Sequence, residues 1–316
     1  MSPRFLPALC AGTLLLAAPV AAFAHAVAGA RIFVNTLIVD DPGVADEAAL
    51  PTLQWQQQPG APVSNAYSAN FEYDKRITDR FALGVADGYS LIQTAGQKNA
   101  SGWQNLVLIS KYLAYVNPRH EFMVSLGVIR EFGRTGSAGI GNSDVGTTTP
   151  TLYFGKGLGD LPIGWARAFA VTGTFGYQLS DRRLKTVTTI DPATGIAGLG
   201  FNNGTENRWT GGVTVQFSIP YLQAQVRSLG LTGVLAGVTP TVELAWSSPA
   251  SSPATTPTQY LIGAGAIYTG TTYAVGVEAL FPGNGASGHN IGVIGQVHLY
   301  FDDLAPTTLG RPVLSW

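Results

Sequence analysis

The feature that most constrains the fold of this chain is an alternation of apolar and polar side chains that continues through long segments. In residues 207–219 the odd positions include Trp209, Val213 and Val215, whereas Arg, Thr, Gly, Thr, Gln and Ser occupy the even positions between them. The same alternation occurs in residues 65–74, 238–247 and 290–301. Helical periodicity would scatter these apolar positions around an axis, so the pattern predicts β-strands.

The candidate strands are also long. Strands of ordinary globular proteins average about five or six residues, whereas a strand of a membrane barrel needs ~9–11 residues to cross a bilayer. Most of the candidates reach that length, and they lie near residues 50–57, 64–74, 80–92, 103–116, 121–132, 149–158, 165–179, 206–218, 238–247, 259–268, 272–281 and 290–301. The sequence therefore predicts an all-β fold, a transmembrane antiparallel up-and-down β-barrel of about 12 strands.

The connections between these strands favour the same architecture. Those after Asp74, Val116, Leu158 and Tyr268 are short, and those that alternate with them are longer and rich in Gly, Ser, Thr and Pro. Outer-membrane barrels have tight turns at the periplasmic end and long loops at the other. The alternative is a secreted soluble β-sandwich, which also alternates. Such a sandwich usually exposes more charge than this chain carries, because only 12% of its residues are charged.

The chain divides into four predicted parts. Residues 1–24 have a single charge, Arg4, an apolar stretch and a small-residue cleavage site, Ala22-Phe23-Ala24, as in a secretory signal peptide. Residues 25–49 form an N-terminal segment that lies in the periplasm or plugs the lumen, with a candidate strand at 32–39. Residues 50–301 form the barrel, with a helical insertion expected at 220–238. Residues 302–316 form a C-terminal periplasmic tail.

Several motifs resemble a known bacterial family. They are FVNTLIVDDPGVADEAALPT at 33–52, FEYD at 71–74, SIPYLQ at 218–223, EALFPGN at 278–284 and HLYFDDL at 298–304. Together they resemble the outer-membrane proteins named for the MetA pathway of phenol degradation, also called transporters. The resemblance runs from about residue 30 to the C-terminus. It implies an outer-membrane barrel concerned with the uptake of small molecules, aromatic ones included.

Polar positions of the predicted strands supply the candidate lumen residues. A charge at the middle of the bilayer costs about 2–4 kcal/mol on the lipid face, so charged strand residues are expected to point inward. The lumen-facing candidates are Glu72, Lys111, Gln216, Glu243, Glu278, Gln296 and His298. Acidic residues outnumber basic ones in this set, which predicts a mild preference for cations. Replacing Glu243 and Glu278 by Gln is expected to reduce it.

Candidate catalytic and metal-binding residues are few. His298 lies on a polar strand face and could form a dyad with a serine, although a hydrogen-bonded lumen histidine is the simpler interpretation. No histidine pair has the spacing of a zinc site on a helix. The carboxylates of Asp40, Asp41, Asp46 and Glu47 surround a Pro-Gly turn and are weak candidates for a calcium site, with a solvated turn as the alternative.

These features predict an exported protein of the bacterial outer membrane that passes small molecules, aromatic or hydrophobic ones included, by passive or facilitated diffusion. The alternatives are an outer-membrane enzyme that modifies lipid and a structural or surface-binding barrel with a blocked lumen. We expect outer-membrane lipid, a small-molecule solute and the barrel-assembly machinery as partners, and no cofactor. The net charge of −1 argues against nucleic-acid binding.

Overall fold

The computed structural model describes residues 26–190 and 196–314. The predicted signal peptide and the last two residues of the predicted tail lie outside this range. Within it, no helix combines the length and the apolar character needed to cross a membrane.

Seventeen strands account for most of the described chain. In chain order they are β1 (Ala26–Ala28), β2 (Arg31–Phe33), β3 (Glu47–Gln58), β4 (Ser64–Thr78), β5 (Phe81–Thr94), β6 (Ala100–Trp103), β7 (Val107–Asn117), β8 (Phe122–Glu131), β9 (Thr147–Gly157), β10 (Phe169–Ser180), β11 (Thr186–Ile190), β12 (Ala197–Phe201), β13 (Arg208–Phe217), β14 (Val238–Pro249), β15 (Gln259–Thr269), β16 (Tyr273–Pro282) and β17 (Gly292–Tyr300).

Twelve of these strands form a closed antiparallel barrel, which confirms the predicted fold class. They are β3, β4, β5, β7, β8, β9, β10, β13, β14, β15, β16 and β17, and each pairs with the next along the chain. The last strand closes the barrel on the first, with Val293 opposite Trp55 and Tyr300 opposite Glu47. The first barrel strand, β3, runs from Glu47 to Gln58 and is longer than the 50–57 that the sequence predicts.

The two faces of the wall differ as the alternation requires. Thr172, Thr214 and Glu243 point inward and have no solvent exposure. Large apolar side chains on the outer face are about half exposed, and these include Leu53, Leu83, Leu108, Leu126, Leu152, Val215, Val242, Leu244, Val275 and Val293. This is the reverse of a soluble protein, in which apolar side chains concentrate inside.

The connections differ between the two ends of the barrel. At one end, called here the turn end, lie the connections 79–80, 118–121, 158–168, 218–237 and 270–272. At the other, called the loop end, lie 59–63, 95–106, 132–146, 181–207, 250–258 and 283–291, which contain β6 and the β11–β12 hairpin. At the turn end a short helix α2 (Phe301–Leu304) follows β17.

Three local predictions need correction or detail. The candidate strand at 32–39 is a strand only over β2, which pairs with β1. The strand predicted at 165–179 begins at Phe169, because residues 165–168 form a 3₁₀ turn. The insertion at 220–238 consists of α1 (Ile219–Tyr221), a π-helical turn (Leu222–Val226) and a 3₁₀ turn (Gly233–Gly237).

Candidate functional site in the barrel interior

Residues 26–46, called here the N-terminal segment, lie inside the barrel and contact many inward-facing side chains of the wall. The segment begins with the β1–β2 hairpin near the turn end, where Phe33 is fully buried. The ring of Phe33 lies directly above Gly155, and a Cβ at this glycine would come within 3.1 Å of it. A glycine at this position of β9 therefore lets the segment approach the wall.

Glu243 holds the deepest part of the N-terminal segment. Its carboxylate accepts backbone hydrogen bonds from Leu37 at 2.8 Å, from Val39 at 2.7 Å and from Ile38 at 3.2 Å. The hydroxyl of Thr214 donates a further bond at 3.2 Å. Consecutive backbone N–H groups that converge on one anion form a nest, and such charge-assisted bonds are stronger than neutral ones. Glu243 thus compensates donors that no neighbouring strand satisfies.

Two further wall residues hold the backbone of the segment. The side-chain amide of Gln216 accepts a bond from the N–H of Val34 and donates one to its carbonyl, both at 3.2 Å. It therefore replaces a neighbouring strand for this one residue. The hydroxyl of Ser125, which has no solvent exposure, donates to the carbonyl of Pro42 at 2.6 Å.

Lys111 pairs with the Pro-Gly turn of the segment. Its Nζ lies 2.8 Å from Oδ2 of Asp40 and donates to the carbonyl of Asp41 at 3.1 Å. It also lies 4.8 Å from the centre of the Tyr153 ring, a cation–π contact. The Asp41 carboxylate itself accepts the N–H of Gly43. Burial raises the pKa of the Asp41 carboxyl to about 7, and the nearby Lys111 ammonium opposes this shift.

At the turn end, Arg31 holds the start of the segment. Its guanidinium, which is fully buried, bonds to the Glu121 carboxylate at 3.1 Å and to the carbonyls of Arg167 at 2.6 Å and Ala168 at 3.2 Å. It also lies 3.6 Å from the centre of the Tyr221 ring. Burial lowers the pKa of Arg31, and the Glu121 carboxylate opposes this shift. These bonds hold the backbone of the 3₁₀ turn at 165–168.

The end of the N-terminal segment is fixed by a buried ion-pair cluster. Asp46 accepts bonds from Lys75 at 2.6 Å and from the Arg76 guanidinium at 2.8 Å. Arg76 also pairs with Asp302 of α2 and donates to the carbonyl of Gly310 at 2.9 Å. This cluster joins the segment, β4 and the chain after β17. The sequence gave no signal of it beyond the carboxylate of Asp46, because its members lie far apart along the chain.

The other predicted lumen residues face the same interior. His298 Nε2 lies 2.9 Å from the carboxylate of Glu47, which also accepts a bond from Asn35 at 3.1 Å. Glu278, 1% exposed, accepts the hydroxyl of Thr241 at 2.6 Å.

Gln296 and Glu72 occupy the part of the interior beside β3. Gln296 donates to the hydroxyl of Thr52 at 2.9 Å. Glu72 lies two residues before Asp74 on the same face of β4, and both line a cavity beside the N-terminal segment.

The four carboxylates proposed as weak calcium ligands do not converge. Asp40 pairs with Lys111, Asp41 with the backbone of Gly43, Asp46 with Lys75 and Arg76, and Glu47 with His298. Across residues 26–190 and 196–314, no group of three or more Asp, Glu, His or Cys side chains has the arrangement of a metal site.

Comparison with solved structures shows the same fold. An outer membrane channel from Pseudomonas putida F1 matches with a TM-score of 0.55 and 10% identity, over 85% of this chain and 100% of that one. The KdgM porin matches with a TM-score of 0.44 and 12% identity over 80% and 99% of the two chains. The NanC porin matches with a TM-score of 0.45 and 8% identity over 79% and 98%. No protein-family model and no curated protein matches the sequence.

Proposed function

We propose that this protein is a channel of the bacterial outer membrane that passes small molecules, aromatic or hydrophobic ones included, by passive or facilitated diffusion. The observation that carries the proposal is the barrel itself, closed on all sides, apolar outside and polar inside. Such a wall suits a hydrocarbon environment, because only helices and closed barrels satisfy every backbone hydrogen bond there. Outer-membrane lipid and the barrel-assembly machinery are the partners that this placement requires.

The N-terminal segment determines what space a solute has. Inside the barrel it is held by hydrogen bonds and ion pairs, of which the three amide bonds to Glu243 lie deepest. A polar cavity of about 160 Å³ lies on one side of it, lined by residues that include Asn35 and His298. A larger cavity of about 420 Å³ lies near the turn end, lined mostly by apolar side chains that include Ile32 and Tyr221. Solutes would move through these spaces, or displace the segment.

The two alternative functions make different demands on the same interior. A blocked structural barrel is favoured by the many bonds that hold the N-terminal segment in place. A lipid-modifying enzyme would need a serine beside His298, whereas the Nε2 atom of His298 is bonded to Glu47. The supposed dyad therefore has no serine partner among the described hydrogen bonds of His298.

Planar-bilayer recordings test the proposed function. The purified full-length protein is expected to give stepwise single-channel currents. Glu243→Gln is expected to raise the conductance, because losing charge-assisted bonds worth roughly 1.5–3 kcal/mol each loosens the segment. Glu278→Gln is the matched control and is expected to raise it less, since Glu278 accepts a bond from Thr241 rather than from the segment.

Silent bilayers for both the wild-type protein and Glu243→Gln would contradict the proposal. Silence together with release of fatty acid from the lipid would favour the enzyme. Silence without it would favour the blocked barrel.

A further inference from the structure

The polar cavity beside the N-terminal segment is unusually acidic for the interior of a protein. It has a volume of about 160 Å³ and is lined by four carboxylates, Asp40, Glu47, Glu72 and Asp74, together with Gln296 and His298. This volume is about ten times the ~15 Å³ that a single water requires. The cavity can therefore hold a small organic group rather than one water alone.

Two of the four carboxylates are already compensated. Asp40 lies 2.8 Å from the ammonium of Lys111, and Glu47 lies 2.9 Å from His298. Glu72 and Asp74 differ, because no Lys, Arg or His among the described residues lies within 4.0 Å of either carboxylate. They are adjacent on one face of β4 and interact with each other. Two neighbouring carboxylates without a cation are strongly unfavourable away from bulk water.

The wall is built to admit these carboxylates. Glu72 faces Ala49 on β3 and Ala86 on β5, and Asp74 faces Gly84 on β5. A Cβ at Gly84 would overlap the carboxylate of Asp74. Small residues around the acidic pair thus keep the space that the carboxylates and the cavity occupy.

His298 supplies an independent indication of a ligand. It is 6% exposed and lines the cavity, and its Nδ1 has no hydrogen-bond partner within the described part of the chain. When Nε2 carries the proton that bonds to Glu47, Nδ1 carries a lone pair and accepts a hydrogen bond. A buried acceptor without a donor is costly, so this atom favours a ligand with N–H or O–H groups.

We propose that this cavity binds the ammonium group of a small cationic solute, held by Glu72 and Asp74 with His298 as a further acceptor. An ammonium carries one positive charge and donates up to three hydrogen bonds, which matches two carboxylates and one imidazole nitrogen. A directly coordinated metal ion fits less well, because no described group of three donor side chains has metal-site geometry. The inference rests on the proposed function only in treating the interior as the path of a solute.

Binding is tested in detergent, without any current. The full-length protein is titrated calorimetrically with methylammonium chloride, and with tetramethylammonium chloride at the same ionic strength as a cation that has no N–H donor. We expect heat of binding for methylammonium only. Glu72→Gln with Asp74→Asn should weaken binding about tenfold or more, as expected for the loss of charge-assisted bonds. Because binding needs no conductance, failure here is distinct from failure of the channel function.

The control variant removes two charges elsewhere. Asp79→Asn with Asp144→Asn alters exposed carboxylates in the 79–80 and 132–146 connections, and it should bind methylammonium as the wild type does. Heat-dependent migration on gels checks that each barrel is folded, and Glu72→Gln alone serves if the double variant is not. No binding by the wild type, equal binding by the Glu72/Asp74 variant, or binding of tetramethylammonium as tight as that of methylammonium would overturn the proposal. So would binding of calcium chloride in place of methylammonium.

Discussion

At the residue scale, the interior shows that an inward-facing carboxylate can serve structure rather than selectivity. Alternation along β14 places Glu243 on the polar face, and the energetic argument against charge in lipid turns it inward. Its partners could not be predicted, because Leu37 lies 206 residues away in the sequence. A carboxylate that satisfies the backbone of a non-strand segment looks, in sequence, the same as one that faces water.

Asp41 should give the protein a measurable pH dependence. Burial raises its pKa to about 7, above the ~3.9 of an unfolded chain. Between these pH values the folded protein holds a proton that the unfolded chain has released, so the free energy of unfolding falls as the pH rises from about 4 to about 7. The slope from this group is at most about 1.4 kcal/mol per pH unit.

Asp41→Asn isolates this contribution. The amide oxygen still accepts the N–H of Gly43, but the group no longer titrates. Denaturant unfolding in detergent between pH 4 and pH 8 should show a smaller loss of stability with rising pH in the variant than in the wild type. Parallel pH profiles for the two proteins would show that Asp41 does not titrate in this range.

At the element scale, the long strands were predictable and the short irregular elements were not. The barrel strands repeat one rule over nine or more residues, so a few exceptions do not hide it. Residues 34–39 follow a similar apolar pattern, yet the backbone N–H groups of 37–39 bond to Glu243 instead of a strand. Likewise the carbonyls of Arg167 and Ala168 bond to Arg31, and β10 starts only at Phe169.

The ion-pair cluster around Arg76 joins elements that sequence separates widely, and its removal should be costly. The side chains of Arg76, Asp46 and Asp302 are 5%, 0% and 1% exposed. Arg76→Met leaves two buried carboxylates without their guanidinium, so the free energy of unfolding should fall by about 3–5 kcal/mol.

Arg130→Met provides the comparison for Arg76. Arg130 makes a similar two-bond pair with Asp181, but the side chains are 31% and 46% exposed. Its loss should cost about 0–1 kcal/mol, since solvent screens an exposed pair. Unfolding in urea from detergent or vesicles measures both, and equal effects of the two substitutions would refute the assigned role of burial.

At the scale of the whole molecule, the barrel follows from two sequence properties that reinforce each other. Long alternating segments predict the strands, and a low content of charge predicts that their apolar face meets something other than water. The place of the N-terminal segment does not follow from either property, and both the periplasm and the lumen remained open. It is set by single polar contacts such as those of Gln216 and Ser125, which no periodic pattern encodes.

The outward face of the barrel makes the last prediction, which concerns depth in the membrane. Val242 is 53% exposed near the middle of β14, whereas Tyr260 is 43% exposed near the loop end of β15. A charge near the bilayer midplane costs about 2–4 kcal/mol, and one at the interface costs about 0–1 kcal/mol. Val242→Arg should therefore reduce the free energy of folding into lipid vesicles by the larger amount and Tyr260→Arg by the smaller one. Equal small losses would mean that Val242 does not face hydrocarbon, and a barrel that folds without detergent or lipid would contradict the membrane placement as a whole.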